Sequence, residues 1–222
     1  MLSDRFKTFF GEPSQPNPGT RSNPREEKET VQERQSRGLE QFFFNIQGSS
    51  GLSLLDLGGA VQDNVEFICN LGHRITTQAF LQTLDQAFGR ETVLQQNDPG
   101  LIADFLRENL DFPDESFDGV LLWDVLQYMS PALLAATVDT LHRITRSKSY
   151  MLGFFNADDK MLSAPNTRFR IAAANRIVLT QKGQRKLIQP FNNRNLEKVF
   201  ARFDSVKFFL TRENLREVII KR

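Results

Sequence analysis

One run in the chain constrains the fold more than any other. Residues 52–57, Leu-Ser-Leu-Leu-Asp-Leu, are almost continuously apolar and open directly into Gly58 and Gly59. A strand this apolar on both faces belongs in the middle of a parallel sheet, covered by helices on either side. The rest of the chain from Gly38 supplies those neighbours, because strand and helix patterns alternate along it. A helix is expected over 39–48, ending at Gly48, and another with Val61, Val65 and Ile68 inward, ending at Gly72. Strand 73–78 follows, then a helix with Leu81, Leu84 and Phe88 on one face and Gly89 as its stop. Strand 117–123 precedes Ser130-Pro131, an N-cap followed by a proline at the first helical position. Leu134, Val138 and Leu141 turn that helix inward, and 149–155 forms the next strand. Segments 177–181 and 185–191 flank Lys182-Gly183-Gln184 and predict a hairpin. A last helix carries Leu196, Val199, Phe200 and Phe203, and 206–211 with 217–221 closes the chain as an antiparallel pair.

The region before this core is different. Residues 11–38 hold four of the nine prolines and almost no large apolar side chains, so they cannot offset the entropy of being ordered. They are expected to form a linker, helical at most around 25–35. Ahead of it, residues 1–10 place Leu2, Phe6, Phe9 and Phe10 on one helical face. That peptide either docks on its own domain or inserts into the groove of a protein partner. The domain proper is 39–222.

Composition narrows the function classes. Lys and Arg number 28 against 27 Asp and Glu, a net charge of +1, so no global charge calls for nucleic acid or an anionic membrane. A single cysteine, Cys69, excludes an internal disulfide framework and suits a reducing compartment; its apolar helical setting predicts a buried, inert thiol. No apolar stretch reaches the roughly 20 residues a membrane span requires, and no signal peptide pattern is present, which predicts a soluble, cytoplasmic protein. Twenty Phe against two Tyr and one Trp predict a core of aromatic rings without polar atoms.

The order of the segments carries a family likeness. "LLDLGGA", then "FPDESFDGVLLWDVLQYM", then "RITRSKSYMLGFF", then two closing strands resembles the class I S-adenosylmethionine-dependent methyltransferases, of the type 11-like kind, over about residues 39–222. The resemblance implies a Rossmann-like, doubly wound α/β sheet of seven strands in a three-layer αβα arrangement, with the last strand antiparallel. It implies S-adenosyl-L-methionine as cofactor and no metal. Asp56, Gly58, Gly59 and Ala60 would lie beside its methionine part, Gln78 and Ala79 beside the ribose, and Asp104 beside the adenine. Trp123 and Asp124 would border the transferable methyl, with Asp124 as the catalytic candidate and Tyr128, Phe155 and Asn156 toward the acceptor. Ligands of open α/β sheets do bind beyond the carboxyl ends of the strands at the switch point.

The loop departs from the family pattern. The family reads acid, any, Gly, any, Gly, any, Gly; here Ala60 and Gln62 replace the second and third glycines. Glycine serves there so that backbone can approach the ligand without a Cβ. The family's ribose-binding acid is also replaced, by Ala79 with Gln78 beside it, which exchanges a charge-assisted hydrogen bond for a neutral one. Two readings follow. One is a methyltransferase acting on an unidentified acceptor; the other is a methyltransferase-fold protein that no longer transfers methyl groups and works as a binding or scaffolding module. Cofactor held only as a structural or sensing ligand is a third.

Other candidates are weaker. His73 and His142 precede strands, which puts them at the amino edge of the sheet, away from the expected site. Residues 160–194 hold eight Lys and Arg and no acid, a basic hairpin region read first as a solvated edge whose charges keep it from pairing, and second as a surface for RNA, an anionic lipid or an acidic protein; nucleic acid is not favoured because few aromatic residues interleave the charges.

Overall fold

The computed structural model describes residues 28–90, 93–158, 160–211 and 215–222. The N-terminal face of Leu2, Phe6, Phe9 and Phe10 lies outside them. Nine strands and six helices are described: β1 (Thr30–Gln35), α1 (Arg37–Ile46), β2 (Ser53–Asp56), α2 (Gln62–Asn70), β3 (Arg74–Thr77), α3 (Phe80–Phe88), α4 (Pro99–Leu110), β4 (Phe117–Trp123), α5 (Pro131–Ile144), β5 (Thr145–Asn156), β6 (Ser163–Ala173), β7 (Arg176–Lys186), α6 (Asn193–Val199), β8 (Ser205–Leu210) and β9 (Leu215–Lys221).

The central sheet runs β3-β2-β4-β5-β9-β8. β3, β2, β4 and β5 are parallel, and β9 is antiparallel to both β5 and β8. The fold is therefore α/β with a mixed sheet, and the described residues give it six strands where seven are expected. The sheet separates two cores, and strand alternation assigns each residue to one of them. Leu55, Val120, Leu122, Met151 and Val218 face α3, α4, α5 and α6. Leu54, Leu121, Leu152, Phe154 and Ile219 face α1, with Ile68 of α2. Helix starts follow the sequence: Ser130 accepts from Leu133 N–H with Pro131 at the first position, and Asp98 with Pro99 does the same for α4.

Three expectations need correction. The 25–35 segment is not helical at its described end; Thr30–Gln35 is a strand, paired antiparallel with β7. Its side chains are nearly all exposed, so backbone pairing rather than apolar burial makes it a strand. Lys182-Gly183-Gln184 is not a turn. β7 runs straight through it, and the hairpin reverses between Ala173 and Arg176 instead. Gly183 sits at φ +70 where the β6–β7 register slips by a residue, which makes it a bulge. Third, Cys69 is exposed, on the outward side of α2, rather than buried.

Together β1, β7 and β6 form a separate three-stranded sheet, order β1-β7-β6. β6 and β7 lie between β5 and α6 in the chain, β1 precedes α1, and the sheet lies over the α1–α2 side of the central sheet, through Phe169, Ile171, Ile177 and Leu179. Its first strand is anchored by a buried carboxylate. Glu217 of β9 accepts from Ser36 Oγ at 3.0 Å, from Gly38 N–H at 2.5 Å and from Arg34 at 3.1 Å. Among the described residues, no helix is long and apolar enough to cross a membrane.

Candidate functional site

The site forms where β2 and β4 end, on either side of the point at which the connections diverge. β2 terminates at Asp56, which is fully buried. Its Oδ1 accepts from Gly58 N–H at 2.7 Å and from the indole Nε1–H of Trp123 at 2.5 Å, and Oδ2 accepts from Asn64 Nδ2 at 3.3 Å. Burial pushes the Asp56 carboxyl above its ordinary value, against the pull of these three donors. The following residues stay close to the end of β3. Gly58 bridges to Ala79, and Gln78 N–H donates to the Asp56 carbonyl at 2.8 Å. Gln62 is turned away and bonds Glu66 at 2.6 Å, while Gln78 bonds Asn109 at 2.7 Å. Neither amide fills the loop.

Trp123 does. The β4–β5 register shifts between Leu121 and Trp123, and Trp123 leaves the strand at φ +51, a backbone region that side-chain-bearing residues rarely adopt. This brings the indole directly onto Gly58. A Cβ placed at Gly58 would stand 2.7 Å from Trp123 Cδ1 and 2.8 Å from Nε1. Glycine is required there by the approach of the protein's own ring. The indole belongs to a three-ring stack, 5.2 Å from Phe169 and 5.8 Å from Phe154, with 5.0 Å between the two phenylalanines.

β6 covers the start of α2 in the same way. Asn64, in the first turn, accepts from Ile171 N–H at 2.7 Å and donates to the Phe169 carbonyl at 3.4 Å; Asp63 pairs with Arg170 at 2.5 Å. The N-terminus of α2 is thus laced to the three-stranded sheet.

Beyond Trp123 the cleft stays open. A cavity of about 440 Å³ is bounded by Gly58, Ala79, Gln82 and Asp124 on the central-sheet side and by Thr167 and Thr180 on the roof. That volume falls within the roughly 300–1,000 Å³ of small-molecule sites. Arg90, Arg168 and Lys182 stand at its edge, and Arg185 enters from β7. Arg185 is held tightly: it makes two hydrogen bonds to Asp85, at 2.9 and 2.5 Å, and its guanidinium lies 4.6 Å above the Tyr128 ring. Arg90 approaches Asp85 from outside at 3.3 Å.

Asp124 ends the chain of contacts. Tyr128 donates its hydroxyl to Asp124 Oδ2 at 3.0 Å, and Gln127 donates to the same hydroxyl at 3.3 Å. Burial raises the Asp124 carboxyl to about 6, with Tyr128 and the charge of Arg185 working in the opposite direction. The Tyr128 phenol is pushed up by burial and by the neighbouring carboxylate. At neutral pH Asp124 is a carboxylate poised to take a proton, and it lines the 440 Å³ cavity and a second cavity as well.

The structure thus gathers Asp56, Gly58, Ala79, Trp123 and Asp124 around one cleft, with Gly59 and Ala60 in the loop beside it. Tyr128 supports Asp124 from within the core, and Phe155 packs 5.0 Å from Phe191 in the interior; neither lines either of these two cavities. Asn156 lines the second cavity. Asp104 sits on the exposed side of α4, paired with Arg107 at 2.5 Å, and does not line the cleft. His73 is buried against the field of Asp118, and His142 lies edge-on to Phe203 5.0 Å away; burial lowers the pKa of both, and neither lines the cleft.

The contributions of Asn64, Asp85, Phe169 and Arg185 escape the sequence reading. Asp85 left a trace, a carboxylate beside the inward Leu81, Leu84 and Phe88, and Arg185 had the look of one more solvated charge. Among the described residues no group of three or more His, Cys, Asp or Glu is placed to hold a metal.

No family model matches the chain, and no curated protein does. Solved structures offer distant likenesses. Burkholderia thailandensis 1,6-didemethyltoxoflavin-N1-methyltransferase, bound to 1,6-didemethyltoxoflavin and S-adenosylhomocysteine, is 12% identical, covers 83% of this chain and 76% of its own, and has a TM-score of 0.46. A SAM-dependent methyltransferase from Archaeoglobus fulgidus is 15% identical over 83% of this chain and 91% of its own, TM-score 0.46. The glycopeptide N-methyltransferase MtfA, complexed with S-adenosyl-L-methionine, is 15% identical over 82% and 91%, TM-score 0.45. Likeness this remote bears on neither the ligand nor the chemistry of this chain.

Proposed function

We propose that this chain is a methyltransferase-like binding protein. On this reading it has a mixed α/β sheet with a cleft at the strand ends, closes the methionine end of the cleft with Trp123, and holds a small polar or anionic ligand in the remaining cavity without transferring a methyl group. The position of the indole carries this reading: it rests on Gly58, satisfies Asp56, and is stacked against Phe154 and Phe169. A cofactor seated as the family likeness implies would have to displace a buried ring with its hydrogen bond and two aromatic contacts. It would also have to part Asn64 from Ile171 and Phe169. With Arg185 paired to Asp85, the exposed Arg90, Arg168 and Lys182 still give one edge of the open end a cationic side, which favours an acidic group on the ligand or partner.

One observation favours a second reading, an active S-adenosylmethionine-dependent methyltransferase with an unidentified acceptor. The cavity touches Gly58, Ala79 and Asp124, where the family likeness puts the methionine part, the ribose and the methyl, and Gln62 and Gln78 are turned aside. Calorimetric titration with S-adenosylmethionine and S-adenosylhomocysteine separates the two, on the wild-type chain and on Trp123→Ala. The binding-protein reading expects no heat from the wild type up to about millimolar cofactor, and gain of binding, if any, only in the variant. Micromolar binding by the wild type would overturn it.

A further inference from the structure

The amino edge of the central sheet, at the opposite strand ends from the cleft, carries a small polar cup. β4 and β5 pair unevenly there. Phe117 faces Thr145 and Gly119 faces Tyr150, so β5 covers five residues where β4 covers two, and the extra length loops out of the ladder. A bulge of this kind re-aims the side chains it carries. Arg146, Ser147 and Lys148 are exposed on it, and Lys148 holds a left-handed backbone at φ +66 without being glycine. Strain at such a position persists only where the surroundings fix it.

Between the bulge, the end of α1 and the turn after it lies a cavity of about 120 Å³, bounded by Asn45, Ser49, Asp118, Arg146, Ser147 and Lys148. It is smaller than the roughly 300–1,000 Å³ of organic-ligand sites and has room for one small ion. Donors outnumber acceptors on its wall. The one carboxylate, Asp118, is already engaged: its Oδ2 accepts from Ser53 N–H at 2.8 Å and from Arg146 Nη1 at 2.6 Å. That pairing balances the charge of Arg146 and leaves its other N–H groups unused. Asn45 gives its Oδ1 to Gln41 at 3.0 Å, which leaves its Nδ2 as a donor. Lys148 has no hydrogen-bond or ion-pair partner among the described residues, so its ammonium is the uncompensated charge of the cup.

We propose that this cup binds a single tetrahedral oxyanion, a phosphate carried as the free ion or as a monoester. The Lys148 ammonium supplies the charge, and the spare N–H groups of Arg146, Asn45 Nδ2 and the hydroxyls of Ser49 and Ser147 complete the donor set. Charge-assisted hydrogen bonds of this type are about twice as strong as neutral ones. The site lies away from the cofactor cleft, so its test stands whichever way the cofactor titration falls.

Inorganic phosphate and glycerol phosphate are the probes, with sodium chloride at matched ionic strength as the control. Each is titrated into the isotope-labelled full chain and followed by amide NMR shifts. Phosphate is expected to bind at about millimolar affinity, with saturating shifts at Ser49, Ser147, Lys148 and Ser149 and none at Gly58 or Ala79. Equal binding of the ester assigns the site to phosphate in either form, and an ester about tenfold weaker assigns it to the free ion. Lys148→Gly, which takes the same backbone without strain, should weaken phosphate about tenfold or more and leave the melting temperature unchanged or higher. Ser147→Glu, at an exposed position, sets a second carboxylate against the anion and should abolish binding. Shifts matched by chloride would mark an adventitious ion only and overturn the proposal, as would no saturation by about 50 mM phosphate or binding untouched by either substitution. A lower melting temperature in Lys148→Gly with phosphate binding intact would overturn it too, making Lys148 a partner of the C-terminal carbonyls of α1 instead.

Discussion

Asp124→Asn should make the protein more stable, and by an amount that grows with pH. The Asp124 carboxyl is raised from the ordinary 3.8 to about 6, chiefly because burial disfavours its charged form. Between those two values the folded chain keeps a proton that the unfolded chain has already released. Stability therefore falls as pH climbs from about 4 to about 6, and the loss is complete above that. At 1.36 kcal/mol for each tenfold, the full loss is about 3 kcal/mol. Asparagine has no charge to bury, and its carbonyl can still accept the Tyr128 hydroxyl. Urea unfolding followed by circular dichroism should find the variant favoured by about 1 kcal/mol near pH 4.5 and by about 3 kcal/mol at pH 8. An unmatched N–H on the new amide would move both values together, so the widening of the gap is the diagnostic quantity. A gap that stays constant or narrows between those pH values would refute the assignment of Asp124 as a net-destabilised buried carboxylate.

Three further outcomes follow from the packing. Gly58→Ala places a methyl inside contact distance of Trp123, which should cost about 1–3 kcal/mol and shift the emission of the chain's single tryptophan to the red; unchanged emission would mean the indole does not rest on Gly58. Glu217→Ala removes the carboxylate partner of Arg34 and the acceptor for Gly38 N–H and Ser36, an expected loss of about 3–5 kcal/mol in chemical denaturation, with Glu217→Gln retaining part of it. Asn64→Ala frees Ile171 N–H, so hydrogen exchange at Ile171 should accelerate, with about 1–3 kcal/mol lost; protection equal to wild type would show that β6 is held over α2 by other contacts.

Much of the central sheet can be read from local pattern. β2, β4 and β5 are apolar on both faces, and no competing structure accommodates such runs. The caps at Ser130-Pro131 and the stops at Gly48, Gly72 and Gly89 are equally local. The three-stranded sheet is not. Thr30–Gln35 is polar apart from Val31, a composition that suits a solvated helix as well as an edge strand, and only pairing with β7 decides the matter. Lys182-Gly183-Gln184 misleads for a related reason: glycine at positive φ is the mark of a turn and of a bulge alike. At the site, the Asp56–Gly59 loop and the end of β4 are legible because a strand must stop there. Phe169 is not, since its partners Trp123 and Phe154 are set by the path of a strand that sequence pattern alone does not route across the loop.

That path changes what the loop can do. A loop at the carboxyl end of a parallel strand recognises ligands through hydrogen-bonding groups left unpaired by the fold. Here Asp56 already accepts three hydrogen bonds, all from protein, and Asn64 bonds Asp56, Phe169 and Ile171. A ligand arriving at this end would have to replace bonds of equal quality inside a buried, low-dielectric setting, where breaking them is costly. At the far end the balance is different: Asp85 and Arg185 pair with each other, while Arg90, Arg168 and Lys182 are exposed at the cavity edge, where an acidic ligand group can approach without dismantling the fold. The proposed binding reading therefore puts recognition at the β7 end of the cleft rather than at the glycine loop, with Trp123 at the boundary between the closed end and the open one.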